Sequence, residues 1–129
     1  MLDAIMNYQD EAMLLLRVVV GIIFVYHGLP KIRKPHGMAQ GMGWPAWAIV
    51  VLGLVEALGG LGILLGVYMQ VAALLLALVM IGATWTKIAK WKIPFYTQTA
   101  TGWEYDLVLF VVLVYITAYG PAGYSLMGY

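Results

Sequence analysis

The chain has 129 residues, 64% of them hydrophobic and 10% charged, where soluble domains run to roughly half apolar and a quarter charged. A soluble domain this small has too high a surface-to-volume ratio to hide that much apolar surface, so the excess must face lipid. Net charge is +1 with the cations set beside apolar runs, which leaves nucleic acid out as a partner, and the lack of cysteine removes disulfides, thiolate zinc sites, cysteine-held iron–sulfur clusters and Cys-x-x-Cys redox chemistry.

The opening MLDAIMNYQDEA is acidic and lacks the cationic start of a secretory signal, so the first apolar segment is expected to be a retained span. That span is residues 12–29, AMLLLRVVVGIIFVYHGL. Three more follow at 47–66, 71–85 and 103–119. A helix of about twenty residues crosses the roughly 30 Å hydrocarbon core. The third and fourth spans are shorter, and Lys87, Trp91 and Tyr105 extend them as snorkelling or headgroup-level ends. Strands are a poor alternative, because the runs lack two-residue alternation. The expected fold class is therefore an all-α membrane protein, a single four-transmembrane-helix bundle.

Punctuation agrees with this division. Pro30, Pro35, Gly37, Gly41, Gly43 and Pro45 mark the first connection as a loop, and Pro94 to Gly102 the third. The second, about Val67 to Gln70, is a tight helical turn, and GPAGYSLMGY is an aperiodic tail. Six of the seven Lys and Arg residues (Lys31, Arg33, Lys34, Lys87, Lys90 and Lys92) lie in or beside connections one and three. The positive-inside rule then puts both basic loops in the cytoplasm and both termini outside. KIRKP…GWPAW and KIAKWKIP…GWEYD each follow one apolar helix and precede another, which suggests two repeated helical hairpins related about the membrane normal. Equally, any two loops beside a membrane acquire Lys, Trp and Pro.

Two charges fall within apolar spans. Eleven Leu, Val, Ile or Phe residues share the first span with Arg17. Each favours insertion by about 0.3–0.6 kcal/mol against about 2.5–3.5 for one central Arg, so Arg17 does not veto the helix but needs a partner. Glu56, in GLVEALGGLG, is the expected partner. Arg17, Gly21, Phe24 and Gly28 share one helical face, as do Gly53, Glu56 and Gly60, and glycines beside a charge let a neighbouring backbone approach. The pair would fix helix register or serve as an anion or proton site.

At the cytoplasmic rim, His27 is expected to end its helix, followed by Lys31, and Trp103, Glu104 and Tyr105 open the fourth span. Glu104 shares a face with Val108, Val111 and Tyr115 at 4-3-4 spacing. These groups, His27, Lys31, Trp103, Glu104 and Tyr105, are expected to converge on one polar pocket. Plainer readings stand beside that one: acids favour a helix N-terminus, Trp and Tyr are ordinary interfacial residues, and a terminal His can satisfy free carbonyls. His27 and His36 lie nine residues apart without acidic spacing and make neither a metal site nor an axial haem pair. No covalent cofactor is expected.

LLLRVVVGIIFVYHGLPKI, GLVEALGGLGILLG, GWEYDLVLF and GPAGYSL, in that order, resemble the DoxX family of small four-helix bacterial and archaeal membrane proteins. The resemblance implies a multi-pass plasma-membrane protein. The family takes its name from a subunit of a thiosulfate:quinone oxidoreductase, which implies quinone as the diffusible carrier and partner subunits or a homo-oligomer. Three readings follow: a quinone-linked redox subunit, with His27 and Glu104 handling protons and Trp103 or Tyr105 packing the ring; a non-catalytic anchor or assembly partner; and an oligomeric small-solute or proton transporter resting on Arg17 and Glu56.

Overall fold

Glycines seven residues apart on two helices set how this chain folds. A computed structural model describes residues 1–120, Tyr124 and Leu126. Among them every regular element is helical. α1 covers Leu2–Met6, α2 Gln9–Arg33, α3 His36–Met42, α4 Ala46–Leu65, α5 Met69–Trp85 and α6 Trp103–Tyr119, with a wider π-type turn, Thr86–Lys90, continuing α5. Three stretches, Gln9–Arg33, Ala46–Leu65 and Met69–Lys90, are long and apolar enough to cross a membrane. α6, with 17 residues, is about 25 Å long and falls short of a full span by length. The chain forms the expected helical membrane bundle.

α2 and α4 run antiparallel and nearly touch backbone to backbone. A Cβ on Gly21 would lie 2.7 Å from the Gly60 carbonyl oxygen, and one on Gly60 would lie 2.7 Å from that of Gly21. Gly28 and Gly53 repeat the arrangement at 2.6 and 2.7 Å. Lipid gives helices no hydrophobic reason to associate, so this close van der Waals approach is what holds the pair. It also explains why α2 does not stop near Gly28 and Pro30. Gly28 is there for contact with α4, and the helix continues through Pro30, whose carbonyl accepts from the Lys34 N–H at 2.7 Å. His27 therefore lies well inside its helix, six residues before the end at Arg33. Part of the first connection is likewise ordered, as α3, which ends on left-handed Gly43 and packs Ala39 and Met42 on Ile49 of α4.

α4 ends on left-handed Gly66, and the turn Val67–Tyr68 sends the chain back as α5. α5 packs on α4 and α6. The main core joins Phe24 of α2 and Ile63 of α4 to Ala73 and Leu76 of α5 and Leu113 and Ile116 of α6.

Arg17 is 1% exposed, and it does not pair with Glu56. Its Nε donates to the Ile63 carbonyl at 2.9 Å, Nη2 to Leu64 at 3.2 Å and Nη1 to Tyr124 at 2.8 Å. Ile63 and Leu64 are in the last turn of α4, where carbonyls lack intrahelical partners and the helix dipole is negative. The Leu126 N–H satisfies the Leu65 carbonyl at 3.1 Å. The Tyr124 hydroxyl donates to Glu11 at 3.1 Å. The glycine register explains the change of partner: it sets residue 17 opposite 63–64, and Glu56 lies seven residues, about 10 Å of helix rise, further along. Of the closing GPAGYSL, only Gly120, Tyr124 and Leu126 are among the described residues.

Four substitutions test this architecture by thermal unfolding in detergent. Gly28→Ala or Gly53→Ala is expected to lower stability by roughly 1–3 kcal/mol, since the added methyl meets backbone that cannot step aside. Gly82→Ala, whose Cβ meets nothing within 4 Å, is expected to gain up to about 1 kcal/mol. Arg17→Leu, which strands three carbonyls, is expected to lose on the order of 1–3 kcal/mol.

Candidate functional site

A cavity of about 660 Å³ opens among the helices at the end where the basic connections lie. Its walls are largely apolar, from Phe24 on α2, Leu52 and Val55 on α4, Leu75, Val79 and Met80 on α5, and Leu109 on α6. Met38, Met42 and Trp44 close it toward the loops. That cover is tied to the other basic connection: Lys90 donates to the Met42 carbonyl, and the Trp91 indole N–H to that of Gly41 at 3.2 Å. Volume, apolar lining and a few convergent polar groups are what small-molecule sites have, at roughly 300–1,000 Å³.

The polar groups come in three sets. Glu56 Oε2 accepts from Lys31 Nζ at 2.5 Å, with side-chain exposures of 4% and 15%. Gly53 makes this pair possible. It has no Cβ where the Lys31 stem crosses, since one would stand 2.8 Å from the Lys31 Cβ, and Glu56 waits one helical turn further on. Next, His27 Nε2 and the Tyr105 hydroxyl lie 3.2 Å apart, bridging α2 to α6 with the tautomer deciding which donates. Finally, Lys87 Nζ sits 2.7 Å from Asp106 Oδ2, donates to Thr101 Oγ1 at 2.9 Å and stands 5.8 Å above the centre of the Tyr105 ring, within cation–π range. The Lys87–Asp106 contact is an ion pair without hydrogen-bond alignment. Asp106 is 4% exposed, and its Oδ2 has no hydrogen-bond donor among the described residues. A buried carboxylate oxygen in that condition retains capacity to accept a bond from a ligand.

His27, Lys31 and Met38 also line a smaller cavity of about 320 Å³ with Tyr26, Pro30 and Lys34. His27 thus stands between the large cavity and the loop surface.

Of the five residues expected in one pocket, His27, Lys31 and Tyr105 line the cavity and Trp103 and Glu104 do not. Trp103 packs edge-on against Phe95 with ring centres 4.5 Å apart. The Glu104 N–H donates to the Phe95 carbonyl at 3.1 Å. Its helix face continues through Val108, Val111 and Tyr115, all exposed. The inward face of α6 is instead Asp106, Leu109, Leu113 and Ile116, at 3-4-3 spacing. Asp106 and Lys87 are the site residues that sequence reasoning missed. The signal was present in that spacing, but α6 is so uniformly apolar that Glu104 and Asp106 each head a plausible stripe. Glu56 was expected to face Arg17 and joins this site through Lys31. Among the described residues, no three His, Asp or Glu side chains gather as metal ligands.

The sequence model of the DoxX family matches residues 12–88, from the start of α2 to the end of α5. The chain belongs to the DoxX family. A Bacillus subtilis (strain 168) protein named "Putative oxidoreductase CatD" is 34% identical over 110 residues, covering 83% of this chain and 78% of that protein. No solved structure matches. The region shared with the DoxX model carries His27, Lys31, Glu56 and Lys87, whereas Tyr105 and Asp106 lie beyond it.

A double-mutant cycle tests the first ion pair. Lys31→Met alone leaves a buried carboxylate without its cation and is expected to destabilise this DoxX protein by roughly 3–5 kcal/mol. Lys31→Met combined with Glu56→Leu should recover at least half of that loss in the same unfolding assay. Additive losses would mean that the two side chains do not interact.

Proposed function

We propose that this DoxX protein is the quinone-binding redox subunit of a membrane oxidoreductase complex. In this reading it crosses the bilayer four times, with both basic connections in the cytoplasm and both termini outside. The single observation that carries the reading is the composition of the 660 Å³ cavity: long apolar walls ending in His27–Tyr105 and Lys87–Asp106. The name of the Bacillus subtilis relative, an oxidoreductase, supports the same class. The six cations in two same-side connections support the orientation.

The residues fit such a ligand. A bound quinone would supply a two-electron, two-proton acceptor. The chain's own groups bind, orient and manage protons. The Tyr105 hydroxyl and His27 Nε2 are within one hydrogen bond of each other, so either can present a proton to a carbonyl oxygen and be resupplied by the other. His27 reaches the smaller cavity at the loop surface, a route by which its proton is replaced from water. Lys87, held by Asp106 and Thr101, places positive charge over the Tyr105 ring and favours negative charge developing nearby. Lys31 and Glu56 neutralise each other and add polarity at the same end without net charge. With no cysteine in the sequence, electrons come from a partner subunit or a second substrate.

The test is donor-dependent quinone reduction in membranes that contain the chain with its co-expressed neighbours. His27→Ala, Tyr105→Phe and Asp106→Asn are each expected to lower the rate by about 10²-fold or more while the complex still assembles. Glu104→Ala should stay within twofold of the unaltered chain. Full activity in an assembled His27→Ala, Asp106→Asn double variant would reduce the chain to an anchor.

A further inference from the structure

We infer that the cavity is loaded sideways from the bilayer, through a portal between α4 and α5 bordered by Gly82, and that its ligand is a quinone bearing a hydrocarbon tail. This rests on the quinone reading above and specifies which quinones the site takes and by what path.

α4 and α5 are close near the turn that joins them. There a Cβ on Gly59 would stand 3.0 Å from Leu76, and one on Gly62 would stand 3.3 Å from the Ala72 Cβ. Farther from the turn both helices line the cavity, α4 with Leu52 and Val55 and α5 with Leu78 and Gly82. On α5, Leu75, Leu78, Gly82 and Trp85 succeed one another at intervals of three, four and three residues, which places them on one stripe. All four line the cavity, yet all four are exposed, Leu78 at 55% and Trp85 at 70%. Four such side chains in succession along one helix border an opening. Because the stripe belongs to the membrane-long apolar stretch Met69–Lys90, that opening faces hydrocarbon.

Gly82 differs from the glycines of α2 and α4. Gly21, Gly28, Gly53 and Gly60 are required by a neighbouring backbone, whereas a Cβ at Gly82 would meet nothing within 4 Å. A glycine inside a helix costs about 1 kcal/mol relative to alanine in general, and no packing contact here calls for it. What it leaves is clearance at the rim. The loop side has a cover, in which Met42 is buried and Trp44 is 46% exposed. Met38, Met42 and Trp44 lie across it, with Lys90 and Trp91 bonded to the Met42 and Gly41 carbonyls, and the smaller cavity behind His27 and Lys31 is lined in part by Pro30 and Lys34.

The two ends of the cavity fix the orientation of the ligand. Asp106 Oδ2, buried and ion-paired with Lys87 Nζ at 2.7 Å, marks the headgroup end, and its second lone pair accepts from a quinol hydroxyl. From Trp85 to Leu75 the stripe runs about 15 Å toward the middle of the membrane, so a tail lies along it and leaves past Gly82 and Leu78. A headgroup alone would occupy only the polar end.

Tryptophans 44, 85 and 91 line the cavity and report binding through fluorescence quenching. The full chain is placed in lipid nanodiscs and titrated with two naphthoquinones of the same headgroup, one without a tail and one with a two-prenyl tail, compared at equal mole fraction in the lipid. The tailed compound is expected to bind at least tenfold more tightly. Gly82→Phe should weaken the tailed compound at least tenfold and change the tail-less one by less than twofold, and Leu78→Phe should follow the same pattern. Equal affinity for the two compounds, or variants that weaken both alike or neither, would overturn the portal while leaving the quinone site standing. Absence of quenching by either compound in the unaltered chain would remove the quinone reading and the portal with it. Should Gly82→Phe fail to fold, the comparison of tails on the unaltered chain decides the matter.

Discussion

The close approach of α2 to α4 governs the rest of the molecule. Four glycines in two facing pairs, Gly21 with Gly60 and Gly28 with Gly53, bring carbonyl oxygens to where side chains would otherwise stand. A seven-residue repeat on both helices keeps the seam on one side of each. Once that seam is closed, the register has no freedom. Arg17 must meet the end of α4, Lys31 must cross Gly53 to Glu56, and His27 must turn toward α6. The two ionic arrangements at opposite ends of α2 are both consequences of one packing choice.

Those arrangements resolve the cost of charge in lipid by different means. Arg17 is satisfied almost wholly by carbonyls that the end of a helix leaves free, so it acts as a cap supplied from another helix. Lys31 and Lys87 are satisfied by carboxylates and sit where water is close. An acid near Arg17 was therefore unnecessary, and Glu56 was available to the cavity. The result separates a purely structural pole, built from Arg17, Tyr124 and Leu126, from a chemically equipped one.

Much of this was legible in the residues. Apolar runs and turn residues gave the helices, and the glycine faces of α2 and α4 pointed correctly at their mutual contact. The stripe Arg17, Gly21, Phe24 and Gly28 continues at the same spacing to Lys31, so the face that meets Glu56 carries two cations. Choosing between them requires the antiparallel offset, a tertiary quantity that neither helix carries alone. Pro30 and Gly28 were misleading for a related reason: both are local breakers by propensity, and the contact with α4 outweighs that preference. On α6 the choice between Glu104 and Asp106 turned on helix rotation, which a helix apolar on every side does not reveal. The membrane hides the usual clue, because the outer face is as oily as the inner one.

Arg17 also has a history during synthesis. Its first acceptor, the Ile63 carbonyl, is 46 residues downstream, and the Tyr124 carbonyl is 107. At translation rates on the order of 5–20 residues per second, the guanidinium waits seconds for its helical acceptors and longer for the tail. The emergence of α4 is therefore the event that first offers Arg17 the carbonyls that hold it in the folded chain.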